Sequence, residues 1–314
     1  GPHRRIDNTL ILPYHRAMLE ILPQLLVNAL ITGSIYALAS SGLALTYGVL
    51  RILNFAHGHV MMVGAYTFFF FTVERSLPIA ESSILASLAI AVLGVLVLAV
   101  FILPFSRGNS LLPLVTTIAL GSILEALVSM WFGVSVRSLP LPGAGDSLEF
   151  AGVFITPLQV GIILSALVIF AVLGFVVHSS PLGRSVRALA EHPQAAQGLG
   201  VSRTKVLLGV FTTSMLLAAY AGVLVGYETN LQPTMGGSYS LKAFAAMILG
   251  GLGNMWGTIV GALILGLLEN LSIGLDFGGY SLPAGYKDAF AYVIILCALL
   301  FRPQGLFGTG ERRA

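Results

Sequence analysis

The side chains of this sequence that have catalytic or ligating chemistry are few, and they lie between or within long apolar runs. Arg51, Asn54 and His57 follow one another at three-residue spacing between two such runs, with His59 close behind. Three-residue spacing places side chains on one helical face or along one turn. The two imidazoles suggest a proton relay or metal ligands, but no carboxylate or cysteine stands near them in the sequence to complete a site. We predict no metal centre.

Three carboxylates stand in or at the ends of apolar runs: Glu125, Glu228 and Glu269. A buried carboxylate is protonated or paired, and a proton carrier would indicate a secondary transporter. We interpret Glu228 and Glu269 as helix-end or packing residues and leave the role of Glu125 open. The sequence contains no GxxxxGK[ST], GxSxG or HExxH motif. We therefore expect no catalytic residue and no enzymatic activity on this chain, and any ATP hydrolysis that drives it belongs to a separate chain.

A polar stripe runs along the first apolar run, where Asn28, Thr32 and Tyr36 recur at four-residue spacing. Polar groups in hydrocarbon are costly, so this face meets either a partner helix or a water-filled path. Both interpretations stay open. We take Asn28, Thr32 and Tyr36, together with Asn54 and His57, as candidate residues of a translocation path.

A second pattern consists of small residues, with Gly253, Gly257 and Gly261 at four-residue spacing. In a helix these glycines share one face and let another backbone approach closely. The pattern predicts helix packing first. If the glycine face has a function, it would be a subunit interface or a sliding contact.

Membrane helices must position these residues. Of 314 residues, 56% are hydrophobic and 9% are charged, against roughly 25% charged in a soluble domain. Several runs approach the ~20 apolar residues that cross a bilayer, and they do not alternate as barrel strands would. We predict an all-α, polytopic membrane protein with about eight crossing helices in a single domain over 1–314. The crossing segments are placed at 21–50, 57–73, 84–103, 111–133, 158–177, 206–228, 240–271 and 288–301.

Two features modify this plan. The seventh segment is interrupted by glycines and an asparagine at 250–254, so we expect two helical pieces near a cavity or a packed centre. Residues 1–20 are expected to be an N-terminal extension, and its Gly-Pro start resembles a cleavage scar. The net charge of +3 is too small to indicate a nucleic-acid partner.

Positive charge predicts the sidedness of the segments. The loop 178–205 and the tail after 301 are rich in arginine, which places both in the cytoplasm. Both can lie in the cytoplasm only if the two pieces of the seventh segment form an antiparallel pair, one entering the membrane and the other returning. The N-terminal side is unresolved, because counting back places it outside while Arg4, Arg5 and Arg16 favour the inside. A break in the membrane path near 48–58 would remove the conflict; the alternative there is an interfacial loop with a snorkelling arginine.

The cytoplasmic loop is longer than the two to eight residues that usually join neighbouring helices. Its stretch PLGRSVRALAEHPQAAQGLGVSRTKV is helix-prone and is punctuated by Pro193, Gly198 and Gly200. Its composition fits equally a short helix that docks on another protein and an ordered loop that only fixes orientation.

Four separate motifs, in the same order, resemble those of LivH-type permeases, the membrane subunits of ABC importers for branched-chain and other hydrophobic amino acids. The motifs are GSIYALASSGLALTYGVLRILNFAHG (33–58) with MMVGAY after it, GRSVRALAEHPQAAQGLGV (183–201), AMILGGLGNMWGTIVGALILGLLEN (246–270) and FRPQGLFG (301–308). The resemblance extends from about 25 to 308.

The resemblance implies that 178–205 is a coupling loop that contacts an ATPase. The family's E-A-A-x-x-x-G pattern falls on Gln194, Ala195, Ala196 and Gly200, with Gln in the acidic position and Glu191 one turn earlier. The residues expected to couple are Arg187, Glu191, Gln194, Ala195, Ala196, Gly198 and Gly200.

The resemblance also implies the setting of the chain. It predicts a bacterial inner-membrane protein, surrounded by lipid, that works by alternating access with a second homologous permease, two ATPase subunits and a periplasmic binding protein. This chain itself would hold no cofactor, since ATP and Mg²⁺ would bind to the ATPase. Three other functions stay open: a urea or short-amide permease, a proton-coupled transporter that uses Glu125 or His57, and a membrane scaffold without transport.

Overall fold

The computed structural model describes residues 11–105, 111–140, 147–150, 152–274, 283–302 and 304–308. These ranges are almost entirely helical, so the all-α prediction is confirmed. The helices are α1 Ile11–Leu50, α2 His57–Phe69, α3 Ile79–Leu96, α4 Leu111–Phe132, α5 Pro157–Ser179, α6 Pro181–Glu191, α7 Pro193–Gly198, α8 Arg203–Glu228, α9 Met235–Gly250, α10 Met255–Gly274 and α11 Lys287–Phe301. Wider π-helical turns extend α2 to Glu74 and α3 to Ile102. Strands β1 Leu148–Phe150 and β2 Val153–Ile155 form a small antiparallel hairpin.

Six helices in the described ranges are long and apolar enough to cross a membrane, which confirms a polytopic membrane protein. They are α1, α3, α4, α5, α8 and α10, within the limits Ile21–Leu50, Ile79–Ile102, Leu111–Phe132, Pro157–Ser179, Arg203–Glu228 and Met255–Ile273. The remaining predicted passages fall on α2, α9 and α11, which have 13, 16 and 15 residues. The estimate of about eight crossings therefore counts additional, shorter helices besides these six.

Two of these short helices begin inside the protein, after matching breaks in the chain. An irregular linker, 51–56, separates α1 from α2, and the linker 229–234 separates α8 from α9. Arg51 ends α1 in the left-handed region, with φ 54°. The His57 imidazole lies 2.8 Å from the carbonyl oxygen of Ala39, which is about 16 Å before the end of α1 at 1.5 Å per residue. The predicted break near 48–58 is therefore present, and α2 starts well below the end of α1.

The helix ends separate into two sides of the molecule. A cleft joins Tyr47 at the end of α1, Glu191 at the end of α6 and Gln304 in the C-terminal segment. At the other side, Gln24 in α1 exchanges hydrogen bonds with the backbone of Phe154 in β2. The C-terminal segment and the predicted coupling loop therefore lie on one side of the molecule and Gln24 on the other, and the cytoplasmic location of the first side stays a prediction. Of the three arginines that favoured the opposite orientation, Arg4 and Arg5 fall outside the described residues and Arg16 lies in α1.

The seventh predicted segment is a helical hairpin, as expected from its glycines. The α9 and α10 helices run in opposite directions, and the turn between them has Gly251 and Gly253 in the left-handed region, with φ of 118° and 79°. The C-terminal segment closes this end, where Leu306 N–H donates to Leu249 O at 2.8 Å and Phe307 N–H donates to Gly250 O at 3.0 Å. Carbonyl groups at the end of a helix need such external donors.

The glycine prediction needs one correction at this hairpin. Gly253 belongs to the turn and not to a helix face, because its backbone conformation is one that a helix does not use. Gly257 and Gly261 do pack closely, since a Cβ on them would lie 2.4 Å from Gly250 O and 2.3 Å from Ala246 O, respectively. The two glycines thus serve the contact between α9 and α10 within this chain.

The centre of the protein is built from α1, α2, α8, α9 and α10, with α1 packed mainly on α10 and α2 mainly on α8. Small residues allow this close approach: a Cβ on Gly222 in α8 would lie only 2.0 Å from the Met61 carbonyl oxygen in α2. Without a hydrophobic driving force inside lipid, such contacts hold membrane helices together. The α3, α4 and α5 helices lie outside this centre and expose many large apolar side chains.

Candidate functional site

The predicted coupling loop contains two short helices, α6 and α7, held against the end of α5. Ser180 caps α6 by accepting a hydrogen bond from Gly183 N–H at 3.0 Å. A proline occupies the first turn of α6 and of α7, where the missing N–H is not needed. The Arg187 guanidinium donates to the carbonyl oxygens of Val177 and His178, the latter at 3.3 Å. Arg187 thus fastens α6 to the last turn of α5.

Most of the predicted coupling residues are accessible. The side chains or backbone of Glu191, Gln194, Ala195, Gly198 and Gly200 are exposed, and Ala196 is buried. Gly200 ends the α7 turn with φ 87°, a conformation that favours glycine. Residues of α7 and Arg203 line a recess of about 480 Å³. The loop therefore has one exposed side and one alanine that is buried against the rest of the chain.

A larger polar cleft lies beside this loop. It has a volume of about 600 Å³ and is bounded by the end of α1, the end of α6, the α9–α10 turn and the C-terminal segment. Glu191 and Arg51 both line it. The middle of this loop, at the end of α6, is thus adjacent to the end of α1 and to the α9–α10 turn.

The polar stripe of α1 faces mainly α10. Thr32 Oγ1 accepts a hydrogen bond from Asn270 Nδ2 at 3.4 Å, and Tyr36 OH donates to Glu269 Oε2 at 2.8 Å. Asn28 accepts from Gln24 of its own helix at 3.0 Å. Two of the three stripe residues therefore bond to a partner helix, the first of the two interpretations that the sequence left open.

A buried charge cluster, which the sequence analysis missed, lies at this contact. The ammonium group of Lys242 in α9 lies 3.3 Å from Glu269 Oε1, 2.8 Å from Asp288 Oδ1 in α11 and 2.9 Å from Tyr36 OH. The Glu269 side chain is fully buried and the Asp288 side chain is 43% exposed. We refer to Tyr36, Lys242, Glu269 and Asp288 as the charge cluster. Opposite charges in three neighbouring apolar segments were the signal in the sequence that could have revealed it.

Asn54 in the linker before α2 and His57 at the first residue of α2 lie in the packed centre. Asn54 Oδ1 accepts from Ala56 N–H at 3.1 Å, and the Ser240 hydroxyl joins this region to α9 by donating to Phe55 O and accepting from Gly58 N–H, both at 3.0 Å. Among the described residues, Asn54 Nδ2 and His57 Nδ1 have no hydrogen-bond partner. Both side chains are buried, so the structure places them in the protein centre and not on an open surface.

The second histidine has a carboxylate neighbour that its position in the sequence does not reveal. His59 Nε2 in α2 lies 3.5 Å from Glu125 Oε2 in α4. The described residues contain no group of three or more His, Cys, Asp or Glu side chains arranged to hold a metal ion.

The comparisons with known proteins decide the family. A family model described as the permease component of the branched-chain amino acid transport system matches residues 25–299. The chain belongs to the family of branched-chain amino acid ABC transport permeases. It is 33% identical over 302 residues to the high-affinity branched-chain amino acid transport system permease protein BraD of Pseudomonas aeruginosa, covering 92% of this chain and 96% of that protein. No solved structure matches the chain.

Two further relatives show the range of the similarity. The permease protein LivH of the corresponding system in Escherichia coli K12 is 31% identical over 305 residues, covering 92% of this chain and 96% of that protein. The ribose import permease protein RbsC of Bacillus subtilis is 28% identical over 294 residues, covering 90% of this chain and 83% of that protein. The permease is therefore a multi-pass inner-membrane transport subunit of an ABC system and not an enzyme.

Proposed function

We propose that the permease imports branched-chain amino acids that a periplasmic binding protein delivers, by alternating access driven by ATP. The observation that carries the mechanism is the exposed α6–α7 loop, which Arg187 fastens to α5 and which borders the cleft at the ends of α1 and the α9–α10 turn. The substrate follows from the names of the relatives with 30–33% identity over nearly the whole chain.

In this mechanism the permease pairs with a second, homologous permease, and each of two ATPase subunits docks on a coupling loop. ATP and Mg²⁺ bind to the ATPase subunits. Closure of those subunits displaces α6 and α7, and the displacement reaches α5 through Arg187 and the central helices through the cleft. The substrate then crosses between the two permeases.

The experiment is uptake of labelled leucine into proteoliposomes that contain the complete complex and its binding protein. We expect uptake that requires ATP inside the vesicle and that persists when the proton gradient is collapsed. Uptake that continues without ATP but stops with the gradient would contradict the proposal and favour proton coupling. Parallel assays with ribose, urea and short amides distinguish the competing substrates.

The coupling role is tested at Ala195, which is exposed on α7. We expect Ala195→Glu, alone or with Gly200→Glu, to abolish leucine uptake, because a bulky charge occupies the docking surface while the permease stays folded. Ala195→Ser keeps the side chain small and should transport normally. Normal uptake by the Glu variant would remove this loop from the mechanism.

A further inference from the structure

Glu125 is a partly exposed carboxylate in an otherwise apolar part of α4. Its side chain is 36% exposed, and large apolar residues such as Ile123 and Leu127 are exposed beside it. A carboxylate that faced lipid at this depth would be strongly disfavoured, and ionisable groups within membrane segments generally face a bundle interior or a water-filled cavity. The Glu125 carboxylate itself is therefore better explained by contact with polar groups or water than by contact with lipid.

Three successive turns of α4 face the start of α2. The Thr117 hydroxyl accepts a hydrogen bond from Phe55 N–H at 3.2 Å, Gly121 lies against the His59 ring, and Glu125 pairs with that ring one turn later. Glu125 thus lies beside the first break in the chain. Discontinuous helices form the substrate sites of many transporters near the membrane midplane.

The His59 ring is held by two glycines on opposite helices. A Cβ on Gly121 in α4 would lie 2.6 Å from its Nδ1, and a Cβ on Gly236 in α9 would lie 2.7 Å from its Cδ2. Only glycine leaves room for the ring at these two positions, so the imidazole has little freedom to turn. The orientation of the His59 ring therefore fixes the direction in which its Nε2 meets Glu125. Because Gly236 follows the linker 229–234, the second break in the chain also lies beside this ring.

We propose that Glu125, positioned by His59, binds the ammonium group of the amino acid on its way through the permease. The Glu125 side chain is partly exposed, so its oxygens can meet a ligand, and a carboxylate provides charge-assisted acceptors for one primary ammonium group. The charge cluster does not offer this chemistry, because its lysine already meets two carboxylates and the Lys242 side chain is 9% exposed. This inference rests on the proposed function, since the ligand is its substrate class.

The test compares Glu125→Gln with the unmodified complex in proteoliposomes, with saturating, leucine-loaded binding protein. We expect leucine uptake to fall about tenfold or more, the factor that the loss of one charged hydrogen bond produces, and the amount of leucine taken up per ATP hydrolysed to fall with it. Glu228→Gln is the control for a carboxylate without a histidine partner, because Glu228 at the end of α8 bonds to Gln159 in α5 at 3.0 Å, and Gln keeps that contact. We expect the control to transport normally.

Each outcome has a distinct meaning. If the unmodified complex shows no ATP-dependent leucine uptake, the proposed function fails. If it transports and Glu125→Gln transports within twofold of it, the ammonium site is wrong. A parallel fall in uptake and ATP hydrolysis, with unchanged stoichiometry, would also overturn the site and indicate a structural role. Where the Gln variant does not assemble, Glu125→Asp and Glu125→Asn decide, since they differ only in charge: the Asp variant should transport better, and equal rates would contradict the proposal.

Discussion

In the charge cluster, we predict that removing the lysine lowers the stability of the permease far more than neutralising Glu269. Lys242 contacts both Glu269 and Asp288, so one cation stands between two carboxylates. Replacing Lys242 with Met leaves two carboxylates without their cation, and the Glu269 side chain is fully buried. Replacing Glu269 with Gln instead leaves the pair of Lys242 and Asp288, and the amide oxygen can still accept the hydrogen bond from Tyr36 OH.

The magnitudes follow from this geometry. Removing one partner of a buried ion pair costs about 3–5 kcal/mol, which at about 2–4 °C per kcal/mol lowers the unfolding midpoint of Lys242→Met by roughly 6–20 °C. For Glu269→Gln we expect a loss within about 1 kcal/mol, the net contribution of one hydrogen bond. The double variant Lys242→Met/Glu269→Gln removes the buried cation together with its buried partner, and Asp288 can be hydrated, so it should recover most of the lost stability.

Thermal unfolding of the purified permease, followed by tryptophan fluorescence, measures all three variants in one buffer. The expected order of midpoints places Lys242→Met lowest, with Glu269→Gln and the double variant close to the unmodified chain. If Lys242→Met and Glu269→Gln had equal effects, or if the double variant were the least stable, the cluster would not be organised by its central lysine.

Two further predictions concern packing and the coupling loop. Gly222→Ala should lower the unfolding midpoint by several degrees, because its Cβ would meet Met61 O at 2.0 Å and overpacking costs about 1–3 kcal/mol. The control is Gly209→Ala on the same helix, which meets nothing within 4 Å and should leave the midpoint unchanged. Equal midpoints for the two variants would refute the close contact of α2 and α8. Arg187→Gln removes the charged bonds to the last carbonyls of α5, which are worth about 1.5–3 kcal/mol, and should reduce leucine uptake per ATP hydrolysed. The exposed Arg184 is its control as Arg184→Gln, and equal transport by both variants would contradict the role of Arg187 as a fastener.

Features that lie within single stretches of the sequence predicted most of the fold. Apolar length and low charge indicated the membrane helices, and the glycines at 250–254 indicated the hairpin of α9 and α10. A break near 48–58 was one of two interpretations of the polar residues that interrupt the apolar run there. Each of these features is local in sequence, so a single stretch carries the whole signal.

The candidate site was harder to predict because its groups come from distant parts of the chain. Glu269 looked like a packing residue, since nothing near it in the sequence shows that Lys242 and Tyr36 approach it. His59 lacked a neighbouring carboxylate in sequence, and the fold supplied Glu125 from α4. Gly253 fits the four-residue pattern of Gly257 and Gly261, but its backbone conformation depends on where the turn falls and not on the pattern.

The measurement that tests the central claim most directly is purification of the permease from native membranes with its bound partners, followed by mass spectrometry. The proposal predicts that an ATPase, a second homologous permease and a periplasmic binding protein co-purify with the chain. It also predicts that Ala195→Glu loses the ATPase and retains the second permease. A chain that purifies alone, or an ATPase that stays bound to the Ala195→Glu variant, would contradict coupling through α6 and α7.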